Sequence, residues 1–279
     1  ANALLDRIED YKPREELPGG VLIITAGVDV QKRYLEVSVW GWGENKESWL
    51  LEHQMIQGAP DDPATWSDLE KFLGSCSYPH PSGATLALFQ PGSRIFVDAG
   101  HWDQHVLPWT FSKQLLGVAA VQGSPTVNAP VLGKIRYASS PKARIYPVGV
   151  NQAKDIIYSR LSLSLSAKDS ADVAPGYVHL NRAATHQYLD GLTCEFGKEE
   201  IFRGESFTRY VCPTGKRNEP LDCFVYALAA RVAVNPRFDR VKENMDRKST
   251  KTRSKDPQTK KRTVRNSRKS SGFIGGFKR

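Results

Sequence analysis

Two contrasting patterns of apolar and polar residues open the folded part of the chain. Residues 21–28 form an almost unbroken apolar run, which is typical of a strand buried on both faces, and the run ends at Asp29. Residues 35–40 then alternate between the two kinds of side chain, as a strand with two different faces does. Residues 31–33 are polar and form a turn between the runs. The pattern predicts an antiparallel hairpin.

Later runs extend this hairpin into a mixed sheet. Residues 48–56 supply a third strand after a short turn, which completes an antiparallel meander. Residues 94–97 form an apolar strand that ends on Asp98, as the first strand ends on Asp29. A predicted helix then leads to a short strand at residues 118–121, and this β-α-β alternation implies a partly parallel sheet. The predicted fold class is therefore α/β.

The most clearly predicted helix follows Asn218, which is a favourable N-cap residue. Pro220 fits the first turn, and an apolar stripe runs from Leu221 towards residue 235. Asp222 lies beside that stripe. One interpretation is that the helix dipole favours a carboxylate near the helix amino terminus. The other is that the helix presses on the sheet and brings Asp222 to the two carboxylates at the strand ends.

The three aspartates Asp29, Asp98 and Asp222 form the candidate site. If the two strands are neighbours, their terminal carboxylates lie about 5 Å apart at one edge of the sheet. Asp29 alone is also explained as a turn cap that accepts backbone hydrogen bonds. Three converging carboxylates repel one another unless divalent cations lie among them, and oxygen ligands suit Mg²⁺ or Mn²⁺. Two such ions would support phosphodiester hydrolysis.

The net charge of +9 is concentrated at the end of the chain. Residues 241–279 carry 14 Lys and Arg and 3 Asp and Glu, out of 39 and 30 in the chain, so residues 1–240 are nearly neutral. Low apolar content and self-repulsion predict a disordered basic tail over residues 237–279. One hypothesis is a DNA tether with strong salt dependence. Another is that the apolar residues 272–277 dock onto a partner protein.

Other features set limits on the class of protein. The four cysteines are scattered without a C-x-x-C pair, which argues against a disulfide framework and a zinc site and fits a reducing, cytoplasmic setting. No run approaches 18 apolar residues, and residues 1–16 are charged, so we expect neither a membrane span nor a signal peptide, and no membrane partner. Residues 1–20 are interpreted as an interdomain linker. The expected domain covers residues 21–236.

Several strings of the sequence resemble the nuclease domain of the lambda-type large terminase subunit of tailed bacteriophages. The most specific is the string at the start of the last predicted helix. In chain order, the strings are residues 25–31 (TAGVDVQ), 39–43 (VWGWG), 47–50 (ESWL), 153–160 (AKDIIYSR), 176–179 (GYVH) and 217–230 (RNEPLDCFVYALAA). The resemblance covers roughly residues 21–231.

This resemblance implies a ribonuclease-H-like fold, a mixed sheet whose first three strands are antiparallel and are flanked by helices. It implies an endonuclease that cuts concatemeric phage DNA to make genome ends, with Asp29, Asp98 and Asp222 as catalytic residues that hold Mg²⁺ or Mn²⁺, two ions being expected. The implied partners are double-stranded viral DNA, the packaging ATPase domain of the same subunit, the small terminase subunit and the portal, onto which residues 272–277 would dock. The implied location is the host cytoplasm, transiently at the procapsid portal. The chain is not expected to be secreted.

Further residues are assigned by the same resemblance or by their position. Lys154, Lys216 and Arg217 are predicted to contact DNA phosphates. His101 and Asp103 are auxiliary candidates, as an acid or metal neighbour, although a surface histidine is the more ordinary interpretation, and the same holds for His105.

The chain also departs from the family pattern, because it has Gln122 where the family usually has a lysine. No G-x-x-x-x-G-K-[ST] string occurs, so we expect no ATP hydrolysis by this chain. The alternatives to the packaging nuclease are a junction resolvase or integrase of the same fold, and a non-catalytic module that binds DNA or docks on the portal.

Overall fold

The computed structural model describes residues 1–92, 94–163, 173–202 and 204–253, with side chains as far as residue 247. In these ranges the strands are β1 (Ile23–Val30), β2 (Tyr34–Trp42), β3 (Ser48–Gln57), β4 (Ser77–Pro79), β5 (Thr85–Ala87), β6 (Ile95–Asp98), β7 (Val118–Gly123), β8 (Arg136–Tyr137), β9 (Arg144–Val148), β10 (Val178–His179), β11 (Phe196–Phe202) and β12 (Glu205–Val211). The helices are α1 (Asn2–Leu5), α2 (Pro63–Ser75), α3 (Asp103–Ser112), α4 (Val150–Leu161), α5 (His186–Thr193), α6 (Glu219–Val234) and α7 (Phe238–Arg253).

Eight of these strands form one mixed sheet in the order β10-β3-β2-β1-β6-β7-β9-β8. The first three strands in the chain pair antiparallel, and β6, β7 and β9 continue the sheet parallel to β1. The predicted meander and the predicted β-α-β crossover are therefore confirmed. So is the fold class, because antiparallel first strands joined to parallel ones and flanked by helices are the ribonuclease-H-like arrangement that we expected.

Helix α6 packs directly on β1, and the contact depends on a glycine. A Cβ atom on Gly27 would lie 2.0 Å from the carbonyl oxygen of Cys223, so only glycine allows the helix to come this close. Near this contact the hydroxyl of Thr25 donates to the carbonyl of Ala227 at 2.8 Å. The sheet is buried on both faces, since one core lies under α6 and a second lies on the opposite side.

Residues 1–20 pack along the domain instead of forming a separate linker. Leu4 is buried, and Ile8 forms a parallel bridge with Leu180. The guanidinium of Arg7 donates to the carbonyl of Leu161 at 2.7 Å. The reason is that the few apolar residues of this otherwise polar stretch and the long side chain of Arg7 find partners on the folded domain.

The stretch predicted as a tail from residue 237 begins with helix α7. Met245 is buried against Leu22 and Ala84, and Lys242 lies 2.8 Å from the carboxylate of Glu44. The apolar contact and the ion pair give the first turns of the helix a surface to pack on. Residues 254–279, with the predicted docking peptide, lie outside the described residues. None of the described helices has the length and apolar content needed to cross a membrane.

Candidate functional site

Asp29 and Asp98 come together because β1 and β6 are parallel neighbours. Val28 is in register with Val97, so the residue after each occupies the same level at the same edge of the sheet. The condition set for the candidate site, that these two strands are neighbours, is therefore met. Asp29 is almost completely buried, whereas Asp98 is half-buried. The two carboxylates therefore share one edge of the sheet.

Asp222 reaches this edge from the first turn of α6, directly before Cys223, whose carbonyl touches Gly27. The side chain of Asn218 does not cap the helix as predicted. Instead, its amide donates to Asp222 Oδ2 at 2.9 Å. The Asn218 side chain thus donates to a carboxylate of the first turn and accepts no hydrogen bond from the backbone amides there. The close approach of α6 to β1 makes Asp222 a neighbour of Asp29.

The three carboxylates interact electrostatically. Burial raises the pKa of Asp29 well above its usual value, the charge of Asp222 and then that of Asp98 add to this, and the amide of Gln31 opposes it. Burial also raises the pKa of Asp98 to about 6; a hydrogen bond from the Gly100 amide counters this, and the charge of Asp222 adds to the rise. Burial raises the pKa of Asp222 in the same way, against the opposing charge of Lys154. Each aspartate is therefore costly to ionise in this protein without an added cation.

These residues fit a hard divalent cation by their chemistry. In the described part of the chain, no three His, Cys, Asp or Glu side chains already stand in the arrangement of a metal site. The carboxylates are instead held by protein donors: Asp29 by Gln31, and Asp98 by the amide of Gly100 at 3.1 Å. All the donor atoms are carboxylate oxygens, and the charge of Asp222 adds to burial in raising the pKa values of Asp29 and Asp98. Oxygen ligation and unneutralised charge suit Mg²⁺ or Mn²⁺.

Lys154 contacts this cluster rather than solvent. Its ammonium lies 2.9 Å from Asp222 Oδ1 and 2.8 Å from both carboxylate oxygens of Glu195. Burial alone would lower the pKa of Lys154, but the charges of Asp222 and Glu195 outweigh it and raise that pKa. With only 6% of its side chain exposed, Lys154 cannot present its charge to DNA as predicted. Two acidic residues within hydrogen-bonding distance hold it in the interior.

Glu195 is the residue of this network that sequence reasoning missed. It lies between α5 and β11 and is buried, with 3% of its side chain exposed. Its partner Lys154 is 41 residues away in the chain. No periodic pattern or turn signal marks position 195, so only the tertiary structure reveals the contact.

The two predicted DNA contacts beside α6 differ from each other. Lys216 is exposed at the loop before the helix. The side chain of Arg217 is 38% exposed, and its guanidinium lies 2.7 Å from Glu36 Oε2, with a second contact to Glu219. Arg217 also lies over the ring of Tyr34, 5.0 Å from its centroid. The structure therefore engages Arg217 within the protein and leaves Lys216 at the surface.

The auxiliary candidates after β6 differ in whether they lie near the three aspartates. His101 is exposed, and its charge lowers the pKa of Asp98, so it lies near that carboxylate. Asp103 is the first residue of α3, and its carboxylate accepts a hydrogen bond from the amide of Gln104 at 2.8 Å. The imidazole of His105 lies 3.1 Å from the side-chain amide of Gln104. Of these side chains, His101 is the one whose charge acts on the pKa of a candidate ligand.

An α/β domain with two carboxylates at the ends of adjacent parallel strands and a third on a packed helix belongs to the ribonuclease-H-like class. Within that class the chain can be placed in a family: residues 1–245 match the model of the endonuclease domain of terminase large subunit gpA. The chain therefore belongs to the family of terminase large-subunit endonuclease domains.

Two curated relatives and one solved structure are similar to the chain. The terminase large subunit of Escherichia phage lambda is 31% identical over 240 residues, which are 84% of this chain and 36% of that protein. The large subunit of Enterobacteria phage P21 is 28% identical over 235 residues, 83% of this chain and 35% of that protein. The chain thus spans about a third of these relatives. The Mn-bound nuclease domain of the SPP1 large terminase aligns at 10% identity and a TM-score of 0.37, covering 78% of this chain and 96% of that one.

Proposed function

We propose that this domain is a metal-dependent DNA endonuclease that cuts double-stranded viral DNA during genome packaging. The observation that carries the proposal is the juxtaposition of Asp29, Asp98 and Asp222 at one edge of the sheet, where burial and the neighbouring carboxylates raise the pKa values of Asp29 and Asp98. Membership of the terminase endonuclease family supports the substrate class. The product of the reaction would be the ends of the packaged genome.

Asp29, Asp98 and Asp222 would hold the metal ions, and two ions are proposed. Bound Mg²⁺ or Mn²⁺ supplies an activated water and stabilises charge on the leaving oxygen of the phosphodiester. The protein's own part is to fix the carboxylates: the strand ends fix Asp29 and Asp98, and the contact of Gly27 with α6 fixes Asp222. His101 is proposed as an auxiliary group near Asp98, and Lys216 as a phosphate contact.

The test is cleavage of plain duplex DNA by the purified chain in Mn²⁺ and in EDTA. We expect cleavage only with the metal, and a loss on the order of 10³-fold in Asp98→Asn and Asp222→Asn, because losing a ligand removes several kcal/mol of transition-state stabilisation. Asp61→Asn changes an exposed aspartate before α2 and is the matched control. Folded variants that cleave at the wild-type rate would contradict the proposal.

The same experiment separates the alternatives. A junction resolvase of the same fold would cut four-way junctions in preference to plain duplex, so both substrates should be offered together. A DNA-binding or portal-docking module would bind without cutting in any metal. We further propose that this chain does not hydrolyse ATP, and ATP turnover by it would contradict that. The ATPase domain, the small subunit and the portal are proposed partners in the host cytoplasm.

A further inference from the structure

A buried network of three side chains contacts Asp222 and has no part in the proposed metal ligation. Lys154 and Glu195 are 6% and 3% exposed, and the ammonium lies 2.8 Å from both oxygens of Glu195. Asn218 donates to Glu195 and to Asp222 Oδ2, the latter at 2.9 Å. The side chain of Asp222 is 20% exposed and forms the outer end of the network. A candidate metal ligand is therefore connected to a hidden ion pair.

The geometry fixes the Asp222 carboxylate at two points. Lys154 approaches Oδ1 at 2.9 Å, and Asn218 approaches Oδ2 at the same distance. A carboxylate oxygen accepts about two hydrogen bonds or ligands, so each oxygen keeps one free lone pair. An ammonium has three N–H donors, and here the acceptors around it are the two oxygens of Glu195 and one of Asp222. Neither end of the contact is free to rotate.

Two simpler roles for Lys154 do not fit this arrangement. A contact with DNA phosphates requires an ammonium at the surface, and this one is buried among acidic partners. A purely structural ion pair would need only Glu195. The chain has such a pair elsewhere, since Lys113 on the segment after α3 contacts Glu70 on α2 and no candidate ligand. The extra contact with Asp222 distinguishes Lys154.

We propose that Lys154, Glu195 and Asn218 are positioning residues, which hold Asp222 in the orientation that offers one lone pair of each oxygen to a divalent ion. This inference rests on the proposed function, because it needs Asp222 to be a metal ligand. Groups that orient metal ligands through hydrogen bonds change metal affinity by about 10–100-fold when they are removed. Lys154 itself touches neither the metal nor the DNA in this scheme.

Metal affinity measured without DNA is the direct test. Isothermal titration of the full chain with Mn²⁺ should give an affinity about 10–100-fold weaker for Lys154→Met, and about tenfold weaker for Asn218→Ala. Lys113→Met removes a more exposed Lys–Glu pair that contacts no candidate ligand, and should leave Mn²⁺ binding unchanged. A folded Lys154→Met protein with the Mn²⁺ affinity of the wild type would overturn the inference, even if its melting temperature were lower.

Two further variants and one control measurement protect the result. Lys154→Met leaves the buried Glu195 without its cationic partner, so the double variant with Glu195→Gln keeps the charge of the pair balanced and should still bind Mn²⁺ weakly. Asn218→Ala keeps the ion pair intact. Duplex DNA binding in EDTA should stay within about threefold of wild type, and a larger loss would assign Lys154 to DNA contact instead.

The outcomes for the wild type separate the two proposals. A wild-type chain that neither binds Mn²⁺ nor cuts DNA would refute the proposed function itself. A wild-type chain that does both, beside a double variant with equal Mn²⁺ affinity, would refute only the positioning role.

Discussion

Asp29 and Glu36 face each other across β1 and β2, and their surroundings are opposite. Both are nearly inaccessible, at 3% and 1% exposure. Glu36 lies 2.8 Å from the imidazole of His53 and 2.7 Å from the guanidinium of Arg217. Asp29 accepts a hydrogen bond from the neutral amide of Gln31, and the charges nearest to it are those of other carboxylates. Two buried acids on one face of one hairpin thus differ only in how they are neutralised.

The difference shows that burial does not identify a functional acid. Taking a carboxylate out of water costs several kcal/mol unless a partner replaces the lost hydration. Glu36 has its cationic partner within the fold, so its burial is explained by structure alone. Asp29 and Asp98 form no ion pair with a described lysine or arginine, and Asp222 shares the single ammonium of Lys154 with Glu195, so a divalent ion would supply the missing charge. A functional acid is therefore recognised by its missing counter-charge.

The largest expected effect separates activity from stability at Asp29. Asp29→Asn should lower Mn²⁺-dependent cleavage on the order of 10³-fold, because a ligand is lost. In EDTA at pH 8 the same variant should melt at a higher temperature than the wild type, since the repulsion among the carboxylates decreases and burying a neutral amide costs less. Activity assays and thermal melts in EDTA check both parts. A variant that is both inactive and less stable would place Asp29 with Glu36 as a structural acid.

The next prediction concerns the pH dependence of stability in the absence of metal. The pKa of Asp98 is raised from 3.8 to about 6, so the folded state binds this proton more tightly than the unfolded state does. The contribution is present below about pH 4 and is lost as pH rises through about 6, a decrease of about 2–3 kcal/mol in the free energy of unfolding. Denaturant titrations in EDTA should show this decrease with rising pH in the wild type and not in Asp98→Asn. Saturating Mn²⁺ should restore the stability that the wild type loses above pH 6, because the ion binds the ionised carboxylate of the folded state.

The elements that position the acids were predictable because their signals are local. An apolar run that ends on an acid marks each of β1 and β6, and the β-α-β alternation predicted the parallel pairing of β6 with β7. The adjacency of β1 and β6 was a condition of the site, and the structure meets it. The string around Asp222 was specific enough to place α6 as well. These signals locate the backbone of each ligand.

The partners of the acids were not predictable, because each joins distant parts of the chain. Arg217 reaches Glu36 across 181 positions, and Lys154 reaches Glu195 across 41. From sequence, Lys154 was a basic residue of a predicted helix, and its assignment to DNA followed from its charge, its expected place near the acidic cluster and the family resemblance. Which cation neutralises which acid depends on side-chain packing. For the same reason residues 1–20 were interpreted as a linker, although they pack on the domain.

Glu36→Gln should have a smaller effect, and mainly on stability. The change removes the anionic partner of the His53 imidazole and leaves the guanidinium of Arg217 with Glu219 alone, in positions that are partly open to solvent. We expect a loss of about 2 kcal/mol, smaller than for a fully buried pair. This corresponds to a melting temperature lower by about 4–8 °C for a domain of this size. Glu70→Gln, in an exposed pair with Lys113, is the control.

Activity is what makes the Glu36 variant informative. Cleavage per folded molecule should stay within about tenfold of wild type, since Glu36 is not a proposed ligand. If Glu36→Gln lost activity as Asp29→Asn is expected to, the two buried acids would form one functional group, and the contrast between them would fail.

The smallest expected effect belongs to Lys216, the exposed neighbour of Arg217. Lys216→Ala should weaken duplex DNA binding about two- to threefold in EDTA, and should reduce the slope of log affinity against log salt by about 1, as the loss of one phosphate contact does. Lys46→Ala alters an exposed lysine between β2 and β3, at the sheet edge opposite Asp29, and should change neither quantity. Filter binding at several salt concentrations measures both. Equal behaviour of the two variants would mean that DNA does not approach the acidic edge from the loop before α6.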